Sequence, residues 1–408
     1  MKDARSFKEM LHYFFLNETD STVKNQTPHA VMPRETHDEA ARRDFVSSLK
    51  VHILTKLAPG NRVAFDRRAE PKFRKEHGRV PETRREVASV MYRDSYWQTW
   101  SSLNRTAQEL MWDALGESIE RQLPDLIEKA HKIRNQDRKR GSLQLDPDLE
   151  IPPYNSDVDI HAAPGGYHTE LVDNDVYAGA LYDLGAYDYS LGGQGPDTDD
   201  IGRSLAAYLK KSLTDFSPSK ILDMGCGVGH QTIPFMNAFR DAELHGIDIA
   251  APMLRYGHAR AESMAKAVHF SQQNAESTDF EDRSFDLIFS TILLHETSAI
   301  AVKNIFCEAF RLLRPGGIMV HSEVPEANKF WPDPYDQFQR DWTTYFNGEP
   351  FRSKVRDMNL AKLAKRTGFP EEKIVETRIP SLFGSTLYAD SHAYGAQWWI
   401  LLAQKECS

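Results

Sequence analysis

Hydrophobic positions along this chain fall into two regimes. Up to about residue 135 they recur at helical spacing. Phe45, Leu49, Ile53 and Leu57 mark a helix over 38–57, and Pro59-Gly60 is expected to stop it. Residues 62–86 are Arg-rich and show no apolar period, so they read as a solvated connector. The strongest stripe is Trp97, Trp100, Leu103, Ala107, Leu110, Met111, Leu115, Ile119 and Leu123, one face of a helix over 95–123. Pro124 suits the start of a following helix that runs to about Arg134. Residues 1–37 read as loosely structured, with one apolar patch around Leu11–Leu16.

From Asp199 the pattern alternates. It predicts helices at 199–215, 229–240, 251–266, 299–313 and 357–368. Between them it predicts strands at 220–224, 243–247, 267–271, 285–290, 317–323, 373–379 and 393–404. Strands alternating with helices of this length imply an α/β fold, a mostly parallel seven-stranded sheet with helices on both faces. The last two strands have no helix between them, so they suit a hairpin at a sheet edge with the final strand antiparallel. Three regions follow: a helical N-terminal domain over 1–141, a linker over 142–198, and the sheet domain over 199–408 with an insertion at about 325–356. The proline and glycine cluster between Pro147 and Gly166 places the linker.

Composition narrows the class. The chain is 40% hydrophobic and 27% charged, ordinary for a globular protein. No apolar run reaches the roughly 20 residues that span a bilayer. The first residues lack the pattern of a signal peptide. Three cysteines, Cys226, Cys307 and Cys407, have neither disulfide-framework nor metal-ligand spacing, so no metal is expected and a reducing cytoplasm is the default. Residues 1–150 hold 27 Lys and Arg against 24 Asp and Glu, which leaves 23 against 35 in the remainder. An acidic sheet domain argues against nucleic acid, which needs an electropositive face.

The chemistry concentrates after the strand at 220–224. Asp223, Gly225, Gly227 and Gly229 form D-x-G-x-G-x-G, ahead of a helix. Glycines let the backbone turn tightly and approach a ligand. A dinucleotide site would want G-x-G-x-x-G, but here His230 holds the sixth position. Asp248 then sits at the tip of the next strand, where a carboxylate can accept from both ribose hydroxyls. Asn274-Ala275-Glu276, Leu293-Leu294-His295-Glu296, Pro315-Gly316-Gly317 and Gly368-Phe369 follow. Over about residues 200–325 this set resembles the class I S-adenosylmethionine (SAM)-dependent methyltransferases, in particular the type 11, ubiquinone-biosynthesis-like group. The resemblance implies a Rossmann-like domain, SAM as cofactor and S-adenosylhomocysteine (SAH) as product. It implies cofactor contacts from Asp223, Gly225, Cys226, Gly227, Gly229, Asp248, Ile249, Asn274, Ala275 and Ser290. That group usually has Asp-Ala where this chain has Asn274-Ala275; an amide oxygen can still accept from the adenine amino group.

Two further sets complete the expected site. His295, after the strand at 285–290, is placed as general base for an acceptor hydroxyl or thiol, with Glu296 orienting it. Tyr167, Tyr177, Tyr182, Tyr187 and Tyr189 precede the glycine loop. Of these, Tyr182, Tyr187 and Tyr189 are chosen as a lid, with Tyr182 and Tyr187 counted among the cofactor contacts, because aromatic faces attract a sulfonium. Phe330, Trp331, Tyr335, Trp342, Tyr345 and Phe346 in the insertion suggest a pocket for a small apolar or aromatic acceptor. A macromolecular acceptor docked on the N-terminal helices, or a non-catalytic SAM-binding protein, are the alternatives. The Asp/Asn-Pro-Pro-aromatic motif of many amine methylases is absent where Ser290, Thr291, Ile292 and Leu293 stand. The stripe at 95–123 is free to serve a homodimer or to cover the acceptor side of its own sheet domain.

Overall fold

A computed structural model describes residues 26–384 and 397–407. The patch at Leu11–Leu16 and the start of the strand expected at 393–404 lie outside the described residues. The chain enters through helices α1 (His37–His52), α2 (Ala58–Ala64), α3 (Glu70–His77), α4 (Arg84–Met91), α5 (Ser95–Glu120) and α6 (Leu123–Arg134). Strand β1 (Ser142–Gln144), α7 (Tyr177–Tyr189) and α8 (Asp200–Ser212) follow. The sheet domain continues with β2 (Lys220–Met224), α9 (Pro234–Ala238), β3 (Glu243–Asp248), α10 (Ala251–Ser263), β4 (His269–Gln272), β5 (Phe285–Thr291), α11 (Ala299–Leu312) and β6 (Leu313–Ser322). The insertion holds α12 (Pro334–Arg340), α13 (Trp342–Phe346) and α14 (Arg352–Arg356). Helix α15 (Leu360–Thr367), β7 (Ile374–Pro380) and β8 (Gln397–Gln404) end the chain.

Among the described residues the sheet has eight strands, in the order β1-β4-β3-β2-β5-β6-β8-β7. All pairs are parallel up to β6, and β8 runs antiparallel to both β6 and β7. The parallel α/β sheet and antiparallel last strand agree with the sequence pattern. The eighth strand does not: Ser142–Gln144, read as linker, pairs with His269–Ser271 along the β4 edge. Three residues carry too short a pattern to signal a strand. Central strands β2 and β5 are covered on both faces, so they read as near-continuous apolar runs.

Pro59-Gly60 does not stop the first helix. Helical structure continues from His37 to His77 through wide turns at Ile53–Leu57 and Phe65–Ala69. A wide turn just before Pro59 lets the ring replace a backbone donor without clashing with the preceding turn. The Leu57 carbonyl, at the end of that turn, accepts from the Tyr96 hydroxyl at 2.8 Å. The supposed connector at 62–86 is therefore largely helical. Phe65, Ala69 and Phe73 are buried in it, with Val87 just beyond, a stripe too narrow to show among so many charges.

That stripe packs on Trp97 and Trp100 of α5 and on Tyr335, Phe338 and Trp342 of the insertion. The Trp342 indole donates to Ser101 Oγ at 2.8 Å. Most insertion aromatics thus glue the N-terminal helices to the sheet domain, and Tyr345 is exposed. A second seam runs through Asp183 of α7. Its buried carboxylate takes Gln26 Nε2 at 2.7 Å, His29 Nε2 at 2.8 Å, His230 Nε2 at 2.6 Å and Tyr256 Oη at 2.7 Å. Among the described residues no helix is long and apolar enough to cross a membrane.

Candidate active site

The carboxyl ends of β2, β3 and β5 open onto a cavity of about 310 Å³. Its floor is the glycine loop. Gly225 and Gly227 line it with φ of 73° and 53°, left-handed backbone that disfavours other residues. A Cβ on Gly225 would stand 2.6 Å from Leu293, and one on Gly227 3.3 Å from Met253. After the loop the backbone makes turns as far as Ile233, and only Pro234–Ala238 is helix, shorter than the 229–240 expected.

Asp248, at the tip of β3, lines the cavity beside Ile249. Its two oxygens accept from Gly227 N at 2.9 Å and Ala250 N at 3.0 Å, which ties the loop to the strand tip and fixes the carboxylate. Burial raises its pKa against these hydrogen bonds. Asn274 and Ala275 also line the cavity. Asn274 Oδ1 accepts from Glu276 N at 2.9 Å, an Asx turn that leaves one lone pair for a ligand. Asp223 stands below the loop. Thr232 Oγ1 donates to it at 2.6 Å, and burial pushes its carboxyl up to about 8. Cys226 turns away from the cavity and packs against Gly246, and Gly229 packs against Phe270.

Ser290 faces the sheet interior, 2.7 Å from His321 Nδ1, rather than the cavity. Its neighbours Thr291, Ile292 and Leu293 form that wall. Ile292 holds φ of 57°, rare for a β-branched side chain and the kind of local strain found at ligand sites.

On α7 the cavity face is Tyr182, Gly185, Ala186 and Tyr189, the i, i+3, i+4, i+7 set. Tyr187 lies on another face and packs under Arg43, whose guanidinium carbon is 5.9 Å from its ring centre and whose Nη2 and Nε bond Asp188. The expected lid is corrected accordingly: Tyr182 and Tyr189 line the cavity, joined by Tyr167, and Tyr187 does not. Tyr182 stacks on His230 at 5.8 Å and meets Tyr167 edge-on at 5.4 Å.

His295 is not on the cavity wall. Its side chain is 0% exposed, with Nδ1 2.5 Å from Glu323 Oε1 and Nε2 3.3 Å from Arg352 Nη1. Glu296, read as its orienting partner, reaches the wall itself. There Glu296 Oε1 lies 3.1 Å from His161 Nε2. His161 Nδ1 faces Glu349 Oε1 at 3.4 Å, and Glu349 pairs with Arg352. Three carboxylates (Glu296, Glu323, Glu349) therefore meet one guanidinium and two imidazoles. Burial alone would lower the His161 pKa, but Glu349 and Glu296 hold it well above the ordinary value. Burial would raise Glu349, but Arg352 and His161 hold it well below.

The backbone of His161 is itself pinned. It has φ of 55°, and its carbonyl accepts from Trp112 Nε1 at 2.8 Å and Gln108 Nε2 at 3.2 Å, both on α5. The N-terminal helices thus position a cavity residue, and Trp112 lines the cavity directly. Sequence reading missed His161, Glu349, Arg352 and Glu323, because nothing local marks residues that far apart as neighbours. Tyr154, also on the wall, donates to Glu276 Oε1 at 2.8 Å.

Residues 221–317 match a family model described as a methyltransferase domain. The matched segment runs from β2 through the start of β6, the part that builds the loop and the Asp248 tip. The chain is 30% identical over 125 residues to malonyl-[acyl-carrier protein] O-methyltransferase of Hahella chejuensis, covering 31% of this chain and 42% of that protein. It is 34% identical over 136 residues to the ubiquinone/menaquinone biosynthesis C-methyltransferase UbiE of Bartonella quintana, covering 31% of this chain and 51% of that one. It is 29% identical over 208 residues to a probable methyltransferase, ltbC, of Aspergillus luteorubrus, covering 48% and 68%. The chain spans about half the length of the first two relatives.

Proposed function

We propose that this protein transfers the methyl group of SAM to a small acceptor held in the cavity above the glycine loop. One observation carries the reading. A single cavity is walled by Gly225, Gly227 and Asp248 together with Tyr154, His161, Glu296 and Trp331.

The loop end suits SAM. The left-handed backbone at Gly225 and Gly227 turns the loop along the cavity floor, where it meets the methionine part, and the fixed Asp248 carboxylate accepts from the ribose hydroxyls. Asn274 and Ala275 flank the adenine. When bound, SAM supplies a methyl group already activated by its sulfonium charge. The chain then has to hold the acceptor in line, exclude water and, for a hydroxyl or thiol, accept a proton. Tyr182 and Tyr167 present aromatic faces for the first two tasks. Glu296, a wall carboxylate beside His161, takes the proton-accepting role first read for His295. His295 then acts as a positioning residue: it fixes Glu323 and Arg352, and Arg352 fixes Glu349 beneath His161.

Calorimetry with SAH tests the reading. Asp248→Ala should weaken binding by about 1.5–3 kcal/mol, since a charged acceptor for two hydroxyls is lost. No SAH binding by the wild type, tight NAD binding, or unchanged affinity in the variant would count against it.

A further inference from the structure

The two ends of the cavity differ in charge. Asp248 and Glu296 face the cofactor end, which suits a cationic ligand. At the insertion end Arg340, Arg352 and Arg356 reach the wall around Trp331. Arg352 is matched by Glu349. Arg356 is different. It is 4% exposed, and among the described residues its Nε has no hydrogen-bond partner. The acid within reach is Asp341, whose Oδ1 is 3.7 Å from Arg356 Nη1. Asp341 is already engaged, at 3.1 Å by Arg84 and at 2.6 Å by Ser353 Oγ. The Arg340 guanidinium carbon stacks 3.9 Å above the Trp331 ring centre, and that of Arg356 lies 5.6 Å from it.

The Arg356 guanidinium shares the indole with that of Arg340, and Asp341, which faces it at 3.7 Å, is already engaged by other groups. A buried charge without a full partner is costly and persists where a ligand supplies the counter-charge. Burial, with Arg352 and Arg340 beside it, pushes the Arg356 pKa down to about 9, the direction expected where the missing neighbour is an anion. The planar fork of arginine matches the paired oxygens of a carboxylate or phosphate.

We infer that the acceptor carries an anionic oxygen group, a carboxylate or a phosphate, which Arg356 binds together with Arg340 beside Trp331. This rests on the reading that the same cavity takes the acceptor. It sets the acceptor's orientation: the anion is drawn to the insertion end and kept from Asp248 and Glu296, so the methyl-accepting atom points toward the cofactor. The apolar character expected from the insertion aromatics does not oppose it, because most of those rings are spent on the N-terminal helices.

The test uses the full chain saturated with SAH and titrated with benzoate, phenyl phosphate and neutral benzamide, followed by tryptophan fluorescence and calorimetry. At least one anion should bind about tenfold or more tighter than benzamide. Which anion binds distinguishes carboxylate from phosphate. Arg356→Gln should remove the preference, and Arg356→Lys should keep part of it. If Arg356→Gln does not fold, Arg340→Gln carries the test and should reduce the preference several-fold. Equal binding of benzamide, no binding of either anion at millimolar concentration, or an unchanged preference in both glutamine variants would overturn the inference. Failure of the wild type to bind SAH overturns the methyl-transfer reading instead, and the anion titration on the ligand-free chain still reads the arginines.

Discussion

Asp223→Asn isolates a buried proton beneath the glycine loop. Burial moves the Asp223 carboxyl from 3.8 to about 8, with the Asp248 charge adding to the rise and the Thr232 hydrogen bond opposing it. The folded protein therefore keeps this proton at pH values where the unfolded chain has released it. A raised folded pKa contributes stability that is fully present below about pH 4 and is lost as pH climbs through about 8. Each pH unit inside that window costs about 1.4 kcal/mol. Between pH 5 and pH 7 this one group should cost on the order of 2–3 kcal/mol. Asparagine carries no titrating proton, so the variant should lack this slope. Its Oδ1 can still accept from Thr232, while the new amide replaces an oxygen with no partner among the described residues, a uniform loss of about 1–3 kcal/mol. Urea denaturation of both proteins at pH 5, 6 and 7 measures the difference. The stability of the wild type relative to the variant should fall by about 2–3 kcal/mol from pH 5 to pH 7, and change sign where the uniform loss is smaller than that. A constant gap across the range would mean that Asp223 is ionised in the folded protein and that the burial argument is wrong.

Other perturbations separate site from scaffold. Gly225→Ala forces an alanine to φ of 73° and should cost about 1–2 kcal/mol of stability. It should also weaken SAH binding, whereas Gly78→Ala, at φ of 72° in open space with no clash to relieve, should cost no more stability than that and leave SAH affinity unchanged. For any acceptor that must lose a proton, Glu296→Gln should cut turnover by about 10²-fold or more with SAH affinity within a few-fold, measured by SAH release. His295→Ala should first lower stability, by about 3–5 kcal/mol, because it strands the buried Glu323; full stability with lost turnover would return His295 to the mechanism. A chain begun at residue 160 loses the β1 edge and the Gln26 and His29 partners of Asp183, so its heat denaturation should show no cooperative transition. Cooperative unfolding with SAH binding would contradict that.

Much of the sheet domain was legible because its signals are local. A glycine that must hold positive φ, an acid at a strand tip and strands of five to seven apolar residues each declare themselves within one short window. Even Tyr187 was decidable: on a helix with Tyr182 and Tyr189 facing a cavity seven residues apart, a residue five positions from Tyr182 points elsewhere. The same holds for Ser290, which alternates with Thr291 along β5 and so faces the other side. The three-residue strand β1 and the helices within 62–86 were not legible, since their pairing or burial depends on partners supplied from elsewhere.

The sequence by itself determined the α/β order, the glycine loop after β2 and the acid at the tip of β3, because each is a backbone or strand-end requirement met by neighbouring residues. Only the tertiary structure decided which titratable groups meet. His161, Glu296, Glu349 and Arg352 come from a loop, the end of β5 and the insertion, and His295 withdraws behind the wall that Glu296 occupies. Coulomb energy depends on distance and burial rather than on spacing along the chain. The charge pattern of the cavity therefore came into being only when the N-terminal helices and the insertion closed over the sheet.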